Sequence, residues 1–81
     1  MEMSESPNIV IGGIYGHFKD KDHRYRVLNL AKHSETLEDM IVYEALYDNP
    51  RSKIWVRPLS MWNEIVDRDG YHGPRFIFIE E

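Results

Sequence analysis

The chain has 81 residues, no cysteine, 42% hydrophobic and 30% charged residues, and a formal net charge of −4. A chain of this length forms one small domain, and the lack of cysteine excludes disulfide bonds and thiolate metal sites. No stretch approaches the ~20 apolar residues of a membrane-spanning helix. We therefore expect a small cytoplasmic protein.

The negative charge is concentrated at the chain ends, where four of the 14 acidic residues lie. The other 10 acids balance the 10 lysines and arginines, so the body of the chain is close to neutral. A neutral body lacks the basic footprint of proteins that bind phosphate backbones. Nucleic-acid binding is a third option, and it would need a contiguous basic stripe built from Arg24, Arg26, Lys32, Arg51 and Lys53.

The first half of the chain predicts a flexible polar arm at residues 1–8, followed by a single domain over residues 9–81. Alternating residues from Ile14 to Lys19 indicate a strand, and a charged turn follows. The next segment places Tyr25 and Val27 in period two and then shifts to Leu28 and Leu30. A shift of one residue inside a strand is typical of a β-bulge or bend, although a strand covered on both faces would also explain it.

The second half predicts two strands, a short helix and a closing strand. Residues 40–47 are rich in β-branched and aromatic side chains, and residues 53–57 form a strand that ends at Pro58. Ser60 suits a helix N-cap, and Leu59, Trp62, Ile65 and Val66 recur at helical spacing. Together these elements predict a mostly β fold, an SH3-like barrel of about five strands with one short helix before the last. An open antiparallel sheet packed under the helix is the alternative.

A series of motifs runs through the chain in a fixed order. It comprises Tyr15-Gly16-His17-Phe18-Lys19, Tyr25-Arg26-Val27-Leu28, Ala31-Lys32-His33-Ser34-Glu35-Thr36, Val42-Tyr43, Leu46-Tyr47, Trp55-Val56-Arg57-Pro58-Leu59, Met61 and Pro74-Arg75-Phe76. The series resembles the small bacterial family known as domain of unknown function 1653 over about residues 13–76. The resemblance implies a fold and a set of motif residues, and it implies no reaction.

The chain departs from the pattern of that family at several positions. Gly16 stands where the resemblance implies a basic residue, and Asp20 where it implies glycine. The turn that contains Pro50 is longer than usual, and Trp62 replaces phenylalanine. These departures bear on the first loop more than on the residues that follow it.

The polar elbow, residues 33–36, places an imidazole, two hydroxyls and a carboxylate in succession: His33, Ser34, Glu35 and Thr36. Such groups suit acid–base chemistry. Nucleophilic catalysis, however, needs a base on a different wall of the site from the nucleophile, and neighbouring residues in a sequence do not provide that geometry. Ser34 and Thr36 can instead cap backbone N–H groups at a turn. The elbow therefore has three interpretations, and we favour a structural role first, ligand binding second and catalysis third.

Trp55 and Arg57 share one face of a strand, since side chains alternate along it. Tyr43 and Tyr47 share a face of the preceding strand, so the four predict an aromatic groove with one cation, suited to a peptide, a nucleotide or a small anion. The alternative is that Trp55 and Tyr47 fill the core while Arg57 pairs with Glu44 or Glu35.

Histidines and Arg75 complete the set of candidates. His17, His33 and Glu35 could converge on a metal, as could His23 and His72, but no spacing supports a metal site. Arg75 is expected to anchor the last strand by pairing with an acid near the elbow.

The sequence therefore predicts a binding or interaction module without cofactor or metal. Its expected ligand-binding residues are His17, His33, Ser34, Glu35, Thr36, Tyr43, Trp55, Arg57 and Arg75. The working face is expected to be built from His17, His33, Glu35, Tyr43, Trp55 and Arg57, on one wall. The alternative is a small hydrolase or transferase that uses His33 and Glu35, although no catalytic residue is assigned.

Overall fold

A computed structural model describes residues 9–20 and 22–81, so the predicted arm at residues 1–8 lies outside the described residues. Within these ranges the chain forms seven strands and one helix, and the mostly β class is confirmed. The elements are β1 Ile14–His17, β2 Arg24–Lys32, β3 Asp39–Ala45, β4 Ile54–Pro58, α1 Leu59–Trp62, β5 Ile65–Arg68, β6 Tyr71–Pro74 and β7 Phe76–Glu80.

Five of the strands form one antiparallel sheet in the order β4-β3-β2-β1-β7, and β5 pairs only with β6 in a separate hairpin. The predicted closed barrel is wrong, because no ladder in the described part of the chain joins β4 to β7. Closure would require these two edges to pair. The main sheet instead matches the open antiparallel alternative, with α1 packed on one face.

The predicted irregularity in β2 is confirmed as a bulge. Val27 pairs with Tyr43 on β3, but the next pair is Asn29 with Val42, so Leu28 is an extra residue. The bulge reverses the faces that the following residues present. Val27 is consequently fully buried, whereas Leu30 is exposed.

The helix α1 is shorter than the spacing of apolar residues suggested. It begins at Leu59 after Pro58, with no side-chain cap, so the predicted N-cap at Ser60 is wrong. Proline fits the start of a helix because the backbone N–H groups there have no partner within the helix, so the N–H group that proline lacks is not missed. Ile65, which the helical spacing included, lies in β5.

The hairpin of β5 and β6 lies between α1 and the last strand. The prediction that the helix comes directly before that strand is therefore wrong. Arg68 pairs with Tyr71 across a two-residue turn, Asp69 and Gly70, whose φ angles are 54° and 79°. Positive φ at both central residues is the signature of the hairpin turn that Asp-Gly favours.

The core lies between the sheet and α1. Trp62 stacks on Phe76 of β7, with ring centroids 3.8 Å apart and planes 3° from parallel. Val27 and Ile41 are fully buried beneath these rings, and Tyr15 meets the edge of Trp62. No helix in the described ranges is both long and apolar enough to cross a membrane.

Candidate ligand-binding cavity

A cavity of about 180 Å³ opens beside this core, and we call it the Arg57 cavity. Three strands supply its walls because the register places Tyr43 opposite Trp55, and Arg57 two residues further along the same face of β4. Its lining side chains are Tyr25, Tyr43, Tyr47, Asn49, Trp55 and Arg57.

Arg57 is the only cation among the described residues that line the cavity. Its Nε donates a hydrogen bond to the Tyr43 hydroxyl at 3.1 Å, and its guanidinium carbon lies 5.0 Å from the centre of the Phe76 ring. The face of an aromatic ring attracts a cation at this distance. Within residues 9–20 and 22–81, Arg57 forms no ion pair, and Glu44 pairs instead with Lys53 at 3.8 Å.

The opposite rim of the Arg57 cavity is a short chain of hydrogen bonds. Asn49 donates from Nδ2 to the Tyr47 hydroxyl at 3.1 Å, and that hydroxyl is 3.2 Å from the Tyr25 hydroxyl. Burial, followed by the hydrogen bond to Tyr47, raises the pKa of Tyr25 well above its ordinary value, so the phenol keeps its proton. His23 stacks on Tyr47 with centroids 4.0 Å apart.

Trp55 contributes its aromatic ring to the wall of the cavity and offers no free hydrogen-bond donor there. Its Nε1–H is already used, because it donates to the Ser52 carbonyl at 3.1 Å. The side chain is half-buried and packs against the edge of the core. Trp55 therefore serves both the core and the cavity, two roles that the sequence had presented as alternatives.

His17 lies on β1 next to the aromatic cluster. Its ring meets the edge of Phe76 at 5.2 Å, and its Nδ1 accepts the Lys19 N–H at 3.1 Å. Burial lowers the pKa of His17, and the positive charges of Arg75 and Arg57 lower it further. The imidazole is consequently neutral around physiological pH.

Arg75 is tied to a residue that follows α1 rather than to an acid near the elbow. Its Nη2 donates to Glu64 Oε1 at 2.8 Å, and its backbone N–H donates to the Glu64 carbonyl at 2.9 Å. Its Nε is buried without a hydrogen-bond partner in the described residues. Arg75 fixes the start of β7 and lies outside the lining of the Arg57 cavity.

The polar elbow forms a turn that is held by its own side chains. His33 Nδ1 accepts the N–H groups of Glu35 at 3.1 Å and Thr36 at 3.3 Å. Thr36 Oγ1 in turn accepts the Glu38 N–H at 3.2 Å. Capping by Thr36 was predicted, but the imidazole has the larger share, and Ser34 is exposed without a hydrogen bond among the described residues.

None of the four elbow residues lines the Arg57 cavity. The elbow joins Lys32 to Asp39 at one end of the β2–β3 hairpin, whereas Tyr47 and Asn49 follow the other end of β3. The single wall predicted to carry both the elbow and the Trp55–Arg57 strand therefore separates into two regions. A hydrolase arrangement would need His33 beside a hydroxyl or carboxylate in a pocket, but its described hydrogen bonds reach only backbone groups.

The remaining histidines lie beside different acidic residues. His23 is 3.4 Å from Asp20, and His72 is 3.6 Å from Asp67. The described part of the chain contains no group of three or more His, Asp or Glu residues that could hold a metal. In the basic set, Lys32 pairs with Asp39 at 2.6 Å.

The pattern of the sequence did not identify Tyr25 and Asn49 as site residues. Tyr25 pairs with Ala45 across the β2–β3 ladder, so its ring reaches the face that Tyr43 occupies. Period two along β2, continued across the ladder, is the signal that would have found it. Asn49 lies in a turn, where its side-chain direction does not follow from periodicity.

Comparison with known proteins identifies the family of the chain. A family model described as "Protein of unknown function (DUF1653)" matches residues 13–78. The chain belongs to the DUF1653 family. A search of curated proteins gave no match. The DUF1653 chain is similar to a solved structure, the crystal structure of a DUF1653 protein from Bordetella bronchiseptica, with 34% identity, 90% of each chain covered and a TM-score of 0.80.

Proposed function

We propose that this DUF1653 chain is a small binding or interaction module that works in the cytoplasm and holds its ligand in the Arg57 cavity. The observation that carries the proposal is a concave site where aromatic faces meet one arginine that has no acidic partner among the described residues. Ligand sites combine apolar walls with a few placed polar groups. The lack of cysteine supports a reducing compartment.

Tyr43, Trp55 and Arg57 are the predicted site residues that form this ligand site. His17 and Arg75 support it from outside, because His17 packs on the Phe76 ring beneath Arg57 and Arg75 fixes the strand that carries Phe76. In this proposal the elbow residues His33, Ser34, Glu35 and Thr36 shape the β2–β3 turn and make no contact with the ligand.

A fragment screen by NMR on the isotope-labelled full chain tests the proposal. Fragments that bind are expected to shift the backbone amides of Tyr43, Tyr47 and Arg57 together with the Trp55 indole signal. Trp55→Phe should weaken the binding, whereas Ser34→Ala at the elbow should leave it unchanged. Shifts that are absent, or that cluster at the elbow, would overturn the assignment.

A further inference from the structure

We infer that the ligand of the Arg57 cavity presents a carboxylate to Arg57 and Tyr43. The inference rests on the proposed function, because it assigns a chemical class to the same site. Three observations carry it: the unused donors of the lining residues, the charge of the cavity and its size.

The first observation concerns Tyr43. Its hydroxyl oxygen accepts from Arg57 Nε, so its own proton points elsewhere, and no described protein group accepts it. The terminal nitrogens of Arg57 also have no acceptor among the described residues. A guanidinium carries several further N–H donors in a planar fork. Arg57 lines the cavity together with Tyr43 of β3 and Trp55 of β4, so these donors are available to a ligand there.

The opposite rim also keeps a donor. Two hydroxyls, those of Tyr25 and Tyr47, share one hydrogen bond, so one of the two protons is left over in either orientation. The oxygen of Tyr47 is already engaged by the Asn49 amide, and the Asn49 Oδ1 accepts the Arg51 N–H at 3.0 Å. The lining side chains therefore offer more donors than acceptors. A ligand group made only of acceptors, such as an anion, complements them.

The charge of the site selects a singly charged group. Within the part of the chain that the structure describes, the lining includes one cation and no acid. The neighbouring cations add little, because Arg75 is paired with Glu64 and burial lowers the pKa of His17. Phosphate groups are bound by clusters of arginine, whereas one planar guanidinium matches one carboxylate in a bidentate pair.

The size of the cavity agrees with this choice. A volume of about 180 Å³ is small, since pockets for drug-sized ligands have ~300–1,000 Å³. It accommodates a carboxylate on a short or planar stem, with aromatic rings on either side. A free aromatic acid and the C-terminal carboxylate of a peptide both carry this chemistry.

Titration of the labelled full chain at constant ionic strength distinguishes the possibilities. Benzoate is compared with benzamide, and N-acetylphenylalanine with N-acetylphenylalanine amide, since each amide keeps the stem of the acid and replaces the carboxylate with a neutral group. At least one of the two acids should bind at least about ten-fold more tightly than its matched amide. The affinities are measured from the shifts of the Tyr43, Trp55 and Arg57 signals. A response confined to benzoate indicates a free acid, and a response to N-acetylphenylalanine indicates a peptide terminus.

Variants separate the roles of the donors. Arg57→Gln should reduce the affinity for the responding acid at least about ten-fold, and Tyr43→Phe, which keeps the ring, should reduce it less. Arg68→Gln removes an exposed arginine of β5 and should have no effect, which controls for net charge. Equal binding of acid and amide, or binding that survives Arg57→Gln, would overturn the carboxylate while leaving the cavity as the ligand site. Shifts that fall outside the cavity in both this titration and the fragment screen would overturn the proposed function as well.

Discussion

The Arg57 cavity and the polar elbow each bring several polar side chains together, but they differ in where the hydrogen bonds go. At the elbow, His33 and Thr36 accept the N–H groups of their own turn. In the cavity, Tyr43 and Arg57 bond to each other and retain donors that no described residue uses. The difference explains why we propose the ligand site at the cavity and not at the elbow, since only the cavity keeps hydrogen-bonding groups without a described partner.

The largest effect is expected from a substitution in the core beside the cavity, which leaves the elbow intact. Trp62 is 2% exposed and stacks on Phe76. Trp62→Ala should lower the free energy of unfolding by about 3–5 kcal/mol, measured by urea unfolding followed by circular dichroism. Trp62→Phe keeps one ring in the stack and should lose clearly less. A loss below about 1 kcal/mol for the alanine variant would contradict the assignment of the core.

The next effect removes the elbow's own support. His33→Ala deprives two backbone N–H groups of their acceptor, and loss of a comparable cap costs about 1 kcal/mol. His33→Asn restores a short acceptor and should recover part of the stability in the same urea assay. Ligand binding in the cavity should be unchanged in both variants. An alanine variant as stable as the parent chain would show that the imidazole does not hold the turn.

A pH titration sharpens the contrast on the cavity side. The pKa of His17 is lowered in the folded state from its ordinary 6.5, so the unfolded chain takes up this proton first as the pH falls. The free energy of unfolding should therefore fall as the pH drops below ~6.5, because the unfolded chain binds a proton at His17 more readily than the folded chain does. His17→Gln should unfold with a weaker dependence on pH between about 7.5 and 5.5. The effect should be small, because the imidazole is only half-buried.

The smallest effect is expected from the exposed carboxylate of the elbow. Glu35→Gln should change the free energy of unfolding by less than about 0.5 kcal/mol, since the side chain is exposed. It should also leave ligand binding in the cavity unchanged. A large change in stability would show that the carboxylate supports the elbow, and a change in ligand binding would show that the elbow and the cavity are coupled through this residue.

Several features of the fold could be predicted because they leave a trace in periodicity. The bulge at Leu28 was visible as a change of phase between Val27 and Leu30. Alternation also placed Tyr43, Trp55 and Arg57 on their correct faces. The open sheet could not be predicted, because alternation assigns a residue to a face and is silent on which edge strands pair.

The hairpin of β5 and β6 was missed for a related reason. Ile65 and Val66 continue the helical spacing of Leu59 and Trp62, and a short apolar run cannot be assigned to helix or strand by spacing alone. The Asp69-Gly70 pair was the better signal, because that dipeptide favours a two-residue hairpin turn. The unused donors of the cavity had no sequence signal, since they depend on atomic positions in three strands.

The chain contains two tryptophans, and the fold gives them separate surroundings. Trp62 is buried in the core, whereas Trp55 is half-buried in the wall of the Arg57 cavity. Indole emission follows the polarity around the ring, so the two fluorophores report different events. A Trp62→Phe background would leave Trp55 as an intrinsic optical probe, whose colour and intensity follow occupancy of the site without any attached label.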